Sequence, residues 1–329
     1  MTAAQILDAI KKLNVLVVGD ICLDRWCSYE PATAEPSRET GIPRIGVVST
    51  SVTPGAGGTV ANNLVALGVK AVTVLGAMGD DGFGYELTRA LSIRGISAEL
   101  MVKSAQVSTF TYTKLINAES GVEDLPRVDY IATRPLAPPI EEQLVSNLLN
   151  YGAEFDLIIV ADQAETAAGG VVTQGVRDAL VQLRGSDTSK VVWVDSRMRL
   201  ELFQKVILKS NQAEAESASK RAIGRVDYAY MVERCGCPLQ VITCGSEGAL
   251  LVDKHGITRV PTAPVAAPVD ICGAGDSFTA GAATGIAAGA SPVEAARFGN
   301  IVSSVTIMKK GTGTASPDEV LAADARWTA

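Results

Sequence analysis

The stretch Asp270-Ile271-Cys272-Gly273-Ala274-Gly275-Asp276-Ser277-Phe278 lies near the end of the chain and opens a helical segment rich in alanine and glycine. Its glycines let the backbone approach a ligand closely, and a helix that begins near Asp276 directs free N–H groups and its positive dipole end at the same point. The Asp276 carboxylate could accept a proton from an attacking hydroxyl there. Loop, helix end and carboxylate together indicate phosphoryl transfer to an alcohol. The alternative is that Asp276 or Ser277 only caps the helix.

A second glycine-rich segment, Gly55-Ala56-Gly57-Gly58-Thr59-Val60-Ala61-Asn62-Asn63, also precedes a helix. Neither segment contains the G-x-x-x-x-G-K-[ST] nucleotide loop. No G-x-G-x-x-G follows the first predicted strand, which argues against an NAD-dependent Rossmann enzyme. The two segments therefore point to a phosphate site of another kind.

Short β-branched runs alternate with helical patterns, which predicts an α/β fold with a mostly parallel sheet. The predicted strands cover 15–19, 72–76, 157–161, 191–195, 206–209, 239–243 and 249–253. The predicted helices cover 59–67, 84–94, 140–151, 170–184, 212–223, 277–290 and 292–308. Because strands such as 157–160 are continuously apolar, we expect helices on both faces and function at the strand ends.

Two stretches, 26–53 and 99–133, break this alternation with strand-like patterns and little helix signal. We expect them to form a small β lid over the sheet edge within one domain spanning 1–329; the alternative is that both are surface loops. The apolar strand at 109–116 would leave an uncovered edge, so we also expect a homodimer through the lid.

Composition excludes several functions. The chain has 29 Lys+Arg, 36 Asp+Glu and one histidine, His255, which we expect in a turn between two strands. A single histidine rules out His-rich zinc sites, and the net charge of −7 argues against nucleic acid as a partner. No apolar run approaches 18 residues and no signal segment opens the chain, so we expect no membrane contact. The six cysteines lack zinc or thioredoxin spacing, and we expect reduced thiols in the cytoplasm.

The two glycine segments resemble the two signatures of the ribokinase, or PfkB, family of carbohydrate kinases. Four further family patterns occur in the matching order: G-x-x-x-x-D at 19–24, G-x-x-G-x-D-x-x-G at 76–84, N-x-x-E at 211–214 and T-x-G-x-x-G at 243–248. The resemblance implies a ribokinase-like three-layer α/β/α domain with a mostly parallel sheet and a small β-sheet lid.

Within that family the chain is most similar to the heptose-phosphate kinase branch, the kinase half of the bifunctional ADP-heptose synthases. The similarity lies at 17–26, at 111–114 followed by 127–129, and at 194–197. That branch usually has an aromatic residue after the aspartate of the mid-chain strand, where this chain has Gln163 after Asp162, and the 329 residues include no nucleotidyltransferase half.

The resemblance implies a role for each matching residue. Asp276 would be the catalytic base, and the N–H groups of Gly273, Ala274 and Gly275 would form the anion hole for the transferred γ-phosphoryl group. The expected substrate-binding residues are Asp24, Gly57, Gly58, Asn62 and Asp162, with Lys114, Arg127 and Arg197 as a cationic clamp for a substrate phosphate. Asp24 could instead cap a loop, and the three cations could be ordinary surface charges.

On the nucleotide side, Asn211 and Glu214 would act through Mg²⁺ and its waters. The alternative for this pair is a helix N-cap with its N3 acid. The other residues implied by the resemblance are Thr243, Gly245 and Gly248 at the phosphates and ribose, Ala283, Asn300 and Ser303 at the adenine, and the backbone of Asp270 and Cys272 at a K⁺ ion.

The sequence thus predicts a cytoplasmic sugar kinase that uses ATP and Mg²⁺, acting on a sugar or sugar phosphate such as a heptose 7-phosphate. A kinase of an unphosphorylated sugar or a nucleoside remains the alternative within the same class. From another class, a nucleotide- or sugar-binding protein without catalysis is the competing hypothesis.

Overall fold

A computed structural model of the chain describes residues 1–263, 265 and 267–328. The helices are α1 Ala3–Ile10, α2 Gly57–Ala66, α3 Gly82–Ile93, α4 Pro138–Tyr151, α5 Gln174–Ser186, α6 Gln212–Ile223, α7 Tyr228–Cys235, α8 Ala274–Ala287, α9 Pro292–Thr306 and α10 Pro317–Thr328. Among these described helices, none has the length and apolar character needed to cross a bilayer. Ala329, the last residue of the predicted domain, lies outside the described residues.

The strands form three sheets. They are β1 Asn14–Gly19, β2 Ile21–Tyr29, β3 Val47–Ala56, β4 Ala71–Leu75, β5 Ala77–Gly79, β6 Val102–Ser104, β7 Thr111–Asn117, β8 Val128–Tyr130, β9 Leu157–Asp162, β10 Val191–Ser196, β11 Ile207–Asn211, β12 Gln240–Thr243, β13 Ala249–Asp253 and β14 Gly256–Val260. The main sheet has the order β14-β13-β12-β11-β10-β9-β1-β4. From β4 to β12 all neighbours are parallel, and β13 and β14 add an antiparallel edge.

The mostly parallel sheet confirms the predicted fold, and each of the seven predicted strands corresponds to one of its members. β14 was not predicted as a separate strand. His255 lies in the turn between β13 and β14, where its backbone N–H donates to Asp253 Oδ1 at 2.7 Å. The predicted turn position of this histidine is therefore confirmed.

Alternate residues of the central strands enter two different cores. Val17 and Ile159 pack with α2, α8 and α9 on one face, whereas Val18 and Val160 pack with α4 and α5 on the other. Since both faces are covered, the strands are apolar throughout rather than alternating. Each such side chain, fully buried, contributes about 1.5–3 kcal/mol, and the resulting rigid sheet fixes the positions of its strand ends.

The helix predictions need correction at one boundary and at three helices that were not predicted. The helix predicted at 170–184 begins only at Gln174, because Gly170 has a left-handed φ of +90° and Thr173 caps α5 by accepting from the Val176 N–H at 3.3 Å. The sequence analysis also missed α1, α7 and α10. Of these, α7 has only eight residues, two of them tyrosines. Aromatic residues lose rotamer freedom in a helix, so short helices that contain them give a weak helical pattern.

A four-stranded sheet, called the small sheet, has the order β3-β2-β7-β8. The segments predicted as a lid supply β7 and β8, most of β3 and the C-terminal part of β2, from Trp26 to Tyr29. Both β2 and β3 extend beyond the predicted boundaries, to Ile21 and Ala56. Asp24 therefore lies within a strand, where it pairs with Thr53 on one side and Tyr112 on the other.

Candidate active site

Two cavities meet at the N-terminus of α8. The first cavity has a volume of about 370 Å³ and lies between the small sheet and the loops that follow β9 and β10. The second has a volume of about 680 Å³ and lies between the ends of β10, β11 and β12 and helices α8 and α9. Gln163, Arg197, Gly273 and Asp276 line both cavities. Asp276 is thus exposed to a ligand in either of them.

The loop before α8 presents two backbone donors. Gly273 has a φ of +79°, a left-handed conformation that favours glycine, and precedes the first helical residue. The Ala274 N–H donates to the carbonyl oxygen of Ile271 at 3.2 Å. The N–H groups of Gly273 and Gly275 have no acceptor among the described residues. Of the three predicted anion-hole amides, two are therefore free to bind an anion, assisted by the helix dipole.

The pKa of Asp276 is suited to proton transfer. Burial in the cleft and the neighbouring charge of Asp195 raise it to about 7, against the lowering effect of Lys209 and Arg197. A carboxylate is most effective as a general base when its pKa lies close to the working pH. Asp276 can therefore take up a proton near neutral pH and release it again.

Asp24 faces the first cavity from β2. Burial raises the pKa of its carboxyl to about 6, while the thiol of Cys22 and the charge of Lys114 lower it. Across the small sheet, a Cβ on Gly55 would lie 2.3 Å from Asp24 Oδ1, so only glycine leaves room for this carboxylate. Gly55 thus leaves the space that the Asp24 carboxylate occupies at the wall of the first cavity.

Four cationic side chains line the first cavity. Arg25 pairs with Glu86 at 3.0 Å, and the three residues of the predicted clamp are also each paired with a carboxylate. Those three pairs are Lys114–Glu123 at 3.6 Å, Arg127–Asp129 at 3.1 Å and Arg197–Glu165 at 2.9 Å. All six side chains are between 29% and 45% exposed, and ion pairs with such access to water contribute only about 0–1 kcal/mol. An anionic ligand could therefore displace the carboxylates at little cost.

Asp162 does not fit its predicted role as a substrate ligand. Its side chain is buried at the end of β9, where it forms an ion pair with Arg199 and accepts from the Ser196 hydroxyl at 2.7 Å. Asp162 does not line either cavity within the described part of the chain. Its neighbour Gln163 does, and the Gln163 N–H donates to Asp20 Oδ2 at 2.8 Å.

The first turn of α2 borders the first cavity. Ala56 and Thr59 line it, whereas Gly57, Gly58 and Asn62 are not among the described lining residues. Gly57 and Gly58 allow close packing instead, since a Cβ on them would lie 2.7 Å from Ile21 and 2.5 Å from Pro54.

Asn211 and Glu214 line the second cavity and also cap α6. Asn211 Oδ1 accepts from the Glu214 N–H at 2.9 Å, and Glu214 Oε2 accepts from the Asn211 N–H at 2.8 Å. This reciprocal capping box confirms the structural alternative for the pair. It uses only one carboxylate oxygen of Glu214, so the other has no partner among the described residues.

The other residues predicted to bind a nucleotide are divided between cavity and core. Those that line the second cavity are Thr243, Gly245, Gly248, Asn300 and Ser303. Ala283 is fully buried in the core and is not among the described residues that line the second cavity. The Asn300 side-chain amide donates to the Pro261 carbonyl oxygen at 3.2 Å, which holds the loop after β14 against α9.

Asp270 shapes the backbone before the anion loop. Its carboxylate accepts from the Cys272 N–H at 2.9 Å and from the Gly311 N–H at 3.0 Å. The carbonyl oxygens of Asp270 and Cys272 accept no hydrogen bond from the described residues. These carbonyls are acceptors of the kind that a monovalent cation would use.

Residues 13–319 match the pfkB family of carbohydrate kinases. The chain belongs to this family. Membership of this family supports phosphoryl transfer to sugar hydroxyls and implies ATP and a divalent metal ion.

The kinase is similar to the bifunctional protein HldE of Pelobacter propionicus, with 31% identity over 335 residues that cover 96% of this chain and 64% of that protein. The chain thus spans less than two thirds of the length of this relative. Its fold is similar to that of Thermotoga maritima ribokinase, with a TM-score of 0.69, 20% identity and coverage of 94% and 99% of the two chains. Phosphofructokinase-2 from Escherichia coli, in complex with potassium, gives a TM-score of 0.70 with 19% identity and coverage of 96% and 100%. The kinase therefore has the ribokinase-like fold that its sequence predicted.

The sequence analysis missed two polar groups of the kinase. Lys209 and Asp195 line the second cavity and form a buried ion pair. Glu165 lines the first cavity, and its carboxylate accepts hydrogen bonds from the Tyr112 hydroxyl and the Arg197 guanidinium group. A lysine at the end of an otherwise apolar strand was a signal for the first group, since a buried charge needs a partner. The second group brings together three segments far apart in the chain, and no local pattern indicates it.

Proposed function

We propose that the kinase transfers the γ-phosphoryl group of ATP to a hydroxyl of a phosphorylated sugar, of the kind represented by a heptose 7-phosphate. The observation that supports this most is the position of Asp276, where the two cavities meet beside two free backbone donors. The first cavity would hold the sugar and the second the nucleotide. The likeness to HldE and the cationic side chains of the first cavity support the choice of acceptor.

The transfer would proceed in line. Asp276 takes the proton of the sugar hydroxyl as its oxygen forms a bond to the γ-phosphorus. The bond from that phosphorus to the β–γ bridging oxygen breaks, and ADP leaves. The N–H groups of Gly273 and Gly275 stabilise the negative charge on the transferred group, which is where preorganised donors have their largest effect. Asp24 orients the sugar by accepting from its hydroxyls.

The second cavity suits a nucleotide with Mg²⁺. Glu214 offers one oxygen without a protein partner, and a hard cation that keeps most of its waters needs few direct protein ligands. When bound, the metal would neutralise charge on the phosphates. Glycines 245 and 248 allow phosphates to approach the backbone, while Ile271 and Ile307 form an apolar part of the wall suited to a base. The carbonyls of Asp270 and Cys272, which accept no hydrogen bond from the described residues, would be the ligands of a K⁺ ion; phosphofructokinase-2 from Escherichia coli, which is similar in fold, is in complex with potassium.

Lys114, Arg127 and Arg197 are the proposed ligands of the substrate phosphate. Their present carboxylate partners are partly exposed, so a phosphate dianion could replace them. The same pairing also supports a second candidate, an unphosphorylated sugar or a nucleoside. If the carboxylates stay in place, the positive charge of the cavity is already balanced and no phosphate is needed.

We further propose that the chain is one domain with the small sheet as its lid, and that it forms a homodimer through that sheet. Supporting this, the edge strands β3 and β8 carry exposed Val47, Val48, Val128 and Tyr130. Uncovered apolar edges of this type favour pairing with another chain. Light scattering on the wild type and on Val48→Lys would show a dimer that weakens in the variant. Because the enzyme consumes ATP, we place it in the cytoplasm.

A panel of acceptors tests the proposed function. ADP production should be fastest with a heptose 7-phosphate and slower with ribose, fructose and adenosine. Faster turnover of an unphosphorylated sugar or a nucleoside would instead support the second candidate. Tight binding of ATP without turnover on any acceptor would show a binding protein without catalysis.

A further inference from the structure

A buried ion pair lies on the floor of the second cavity. Asp195 and Lys209 are opposite each other on the neighbouring strands β10 and β11. Lys209 Nζ lies 2.6 Å from Asp195 Oδ2, and each side chain is only 6% exposed. Thr279 of α8 donates to the same carboxylate oxygen at 3.2 Å. The pair therefore joins the main sheet to the helix that carries Asp276.

Stability alone does not explain this pair. Removing two charges from water costs several kcal/mol per ion, and well-packed apolar residues often do as well or better in their place. Elsewhere in β10 and β11, buried positions are occupied by apolar residues such as Val192, Val194 and Leu208. The charges occur only where β10 and β11 reach the cavity.

The ammonium group of Lys209 lies beside the anion loop. Its Nζ is 3.1 Å from the point that a Cβ on Gly275 would occupy, so the glycine leaves space for the charge. An ammonium group has three N–H donors, and only the one directed to Asp195 has an acceptor among the described residues. Lys209 therefore brings positive charge and free donors to the place where Asp276 and the loop amides meet.

Asp276 is surrounded by charges from several elements. The ionisable groups that act on it or feel its charge are Asp195 on β10, Arg197 after β10, Lys209 on β11, Asp24 and Cys22 on β2, and Cys272 in the anion loop. Among these, Lys209 and Asp195 are in direct contact and act on Asp276 with opposite signs.

We propose that Lys209, held in place by Asp195, is a positioning residue for phosphoryl transfer that keeps the Asp276 carboxylate charged and adds its ammonium group to the anion loop. This inference rests on the proposed role of Asp276 as the base. On this proposal, the Lys209–Asp195 pair acts on the transfer reaction and is more than a buried contact between two strands of the core.

Substitutions of Lys209 and of Asp195 should shift the acidic limb of the pH profile of kcat/KM in opposite directions. Lys209→Met removes a positive charge, so the limb should move up from near pH 7 by about one pH unit, and activity at pH 7 should fall about fivefold. Asp195→Asn removes a negative charge, so the limb should move down. In the double variant Lys209→Met/Asp195→Asn the two shifts should largely cancel.

A matched control separates this role from a structural one. Arg199→Met breaks another largely buried ion pair, with Asp162, away from both cavities, and should lower the melting temperature without moving the limb. If Lys209→Met and Asp195→Asn behave like this control, the proposal is wrong. Should Lys209→Met fail to fold, the double variant and Lys209→Arg, which keeps the charge and should keep the limb, still decide the question.

The titration can also be read without turnover. Isotope-edited infrared spectroscopy follows protonation of the aspartate carboxyls, and the band lost in Asp276→Asn identifies Asp276. The same opposite shifts should appear in this band. If the variants show the shifts but the wild type phosphorylates no acceptor, the proposed function is refuted and the effect of Lys209 and Asp195 on Asp276 is retained. If the wild type turns over an acceptor but the variants show no shifts, the proposed function is retained and the role of Lys209 is refuted.

Discussion

The two cavities share Asp276 but hold their charges differently. In the second cavity, Lys209 and Asp195 form a buried pair between neighbouring strands of the main sheet. In the first, Arg197 and Glu165 form a half-exposed pair between two loops, and Tyr112 of the small sheet is bonded to the same carboxylate. The charges of the second cavity are therefore fixed before a ligand binds. In the first cavity, an anionic group of a ligand can replace the carboxylates that now pair with the cationic side chains.

This difference suits the two reactants of a carbohydrate kinase. The nucleotide carries the charge that changes during transfer, and fixed charges stabilise such a change without reorganisation. Under the proposed function the first cavity would hold the acceptor, and it is lined by loops and by the small sheet, where side chains change at little cost to the core. Each of the following predictions perturbs one cavity and asks whether the other is affected.

The largest effect is expected at the shared residue. Asp276→Asn should lower turnover by at least roughly 10²-fold, because it removes the positioned base, while ATP affinity should change little. Steady-state assays and calorimetric titration with ATP measure the two quantities, with exposed Asp8→Asn on α1 as the control. Turnover within threefold of wild type would remove Asp276 from the mechanism.

In the second cavity, Glu214→Gln should raise the Mg²⁺ concentration needed for half-maximal activity, by roughly 30-fold if it acts as an outer ligand of the metal. The amide oxygen can still accept from the Asn211 N–H, so the melting temperature should stay the same. Glu294→Gln changes an equivalent capping box at α9 and serves as the control. An equal change in both variants would mean that Glu214 only caps its helix.

The pH profile should follow Asp276. Its pKa is raised from 3.8 to about 7, so the carboxylate that accepts the proton is lost as the pH falls through 7. We expect kcat/KM to be level above that pH and to drop about tenfold for each pH unit well below it. A profile that stays flat between pH 5.5 and 8 would contradict this assignment.

The smallest effect is expected in the first cavity. Lys114→Met should raise KM for a phosphorylated sugar by about fivefold, the equivalent of about 1 kcal/mol for a partly exposed ionic contact. KM for ATP should not change, because Lys114 does not line the second cavity. Lys103→Met removes an exposed lysine outside both cavities, and a similar rise in that variant would exclude a specific contact.

Much of the candidate site around Asp276 was predictable because its parts are local. The glycines at 273 and 275, the helix start and Asp276 lie within four residues of one another, and their backbone geometry follows from residue type. Ala283 shows the limit of this reasoning. Its place on α8 was predicted correctly, but the side of the helix that faces the core depends on how α8 packs against α9.

The sequence by itself determined the alternation of the seven predicted strands with helices, the mostly parallel sheet and the residues of the candidate anion loop, since these depend on periodicity and on residues close together in the chain. Only the tertiary structure decided which charges meet. It placed Asp162 with Arg199 rather than in a cavity, Lys209 beside Asp195, and Glu165 between Tyr112 and Arg197. The physical reason is that an ion pair needs atoms within about 4 Å, and for residues on different strands and loops that distance depends on sheet register and packing.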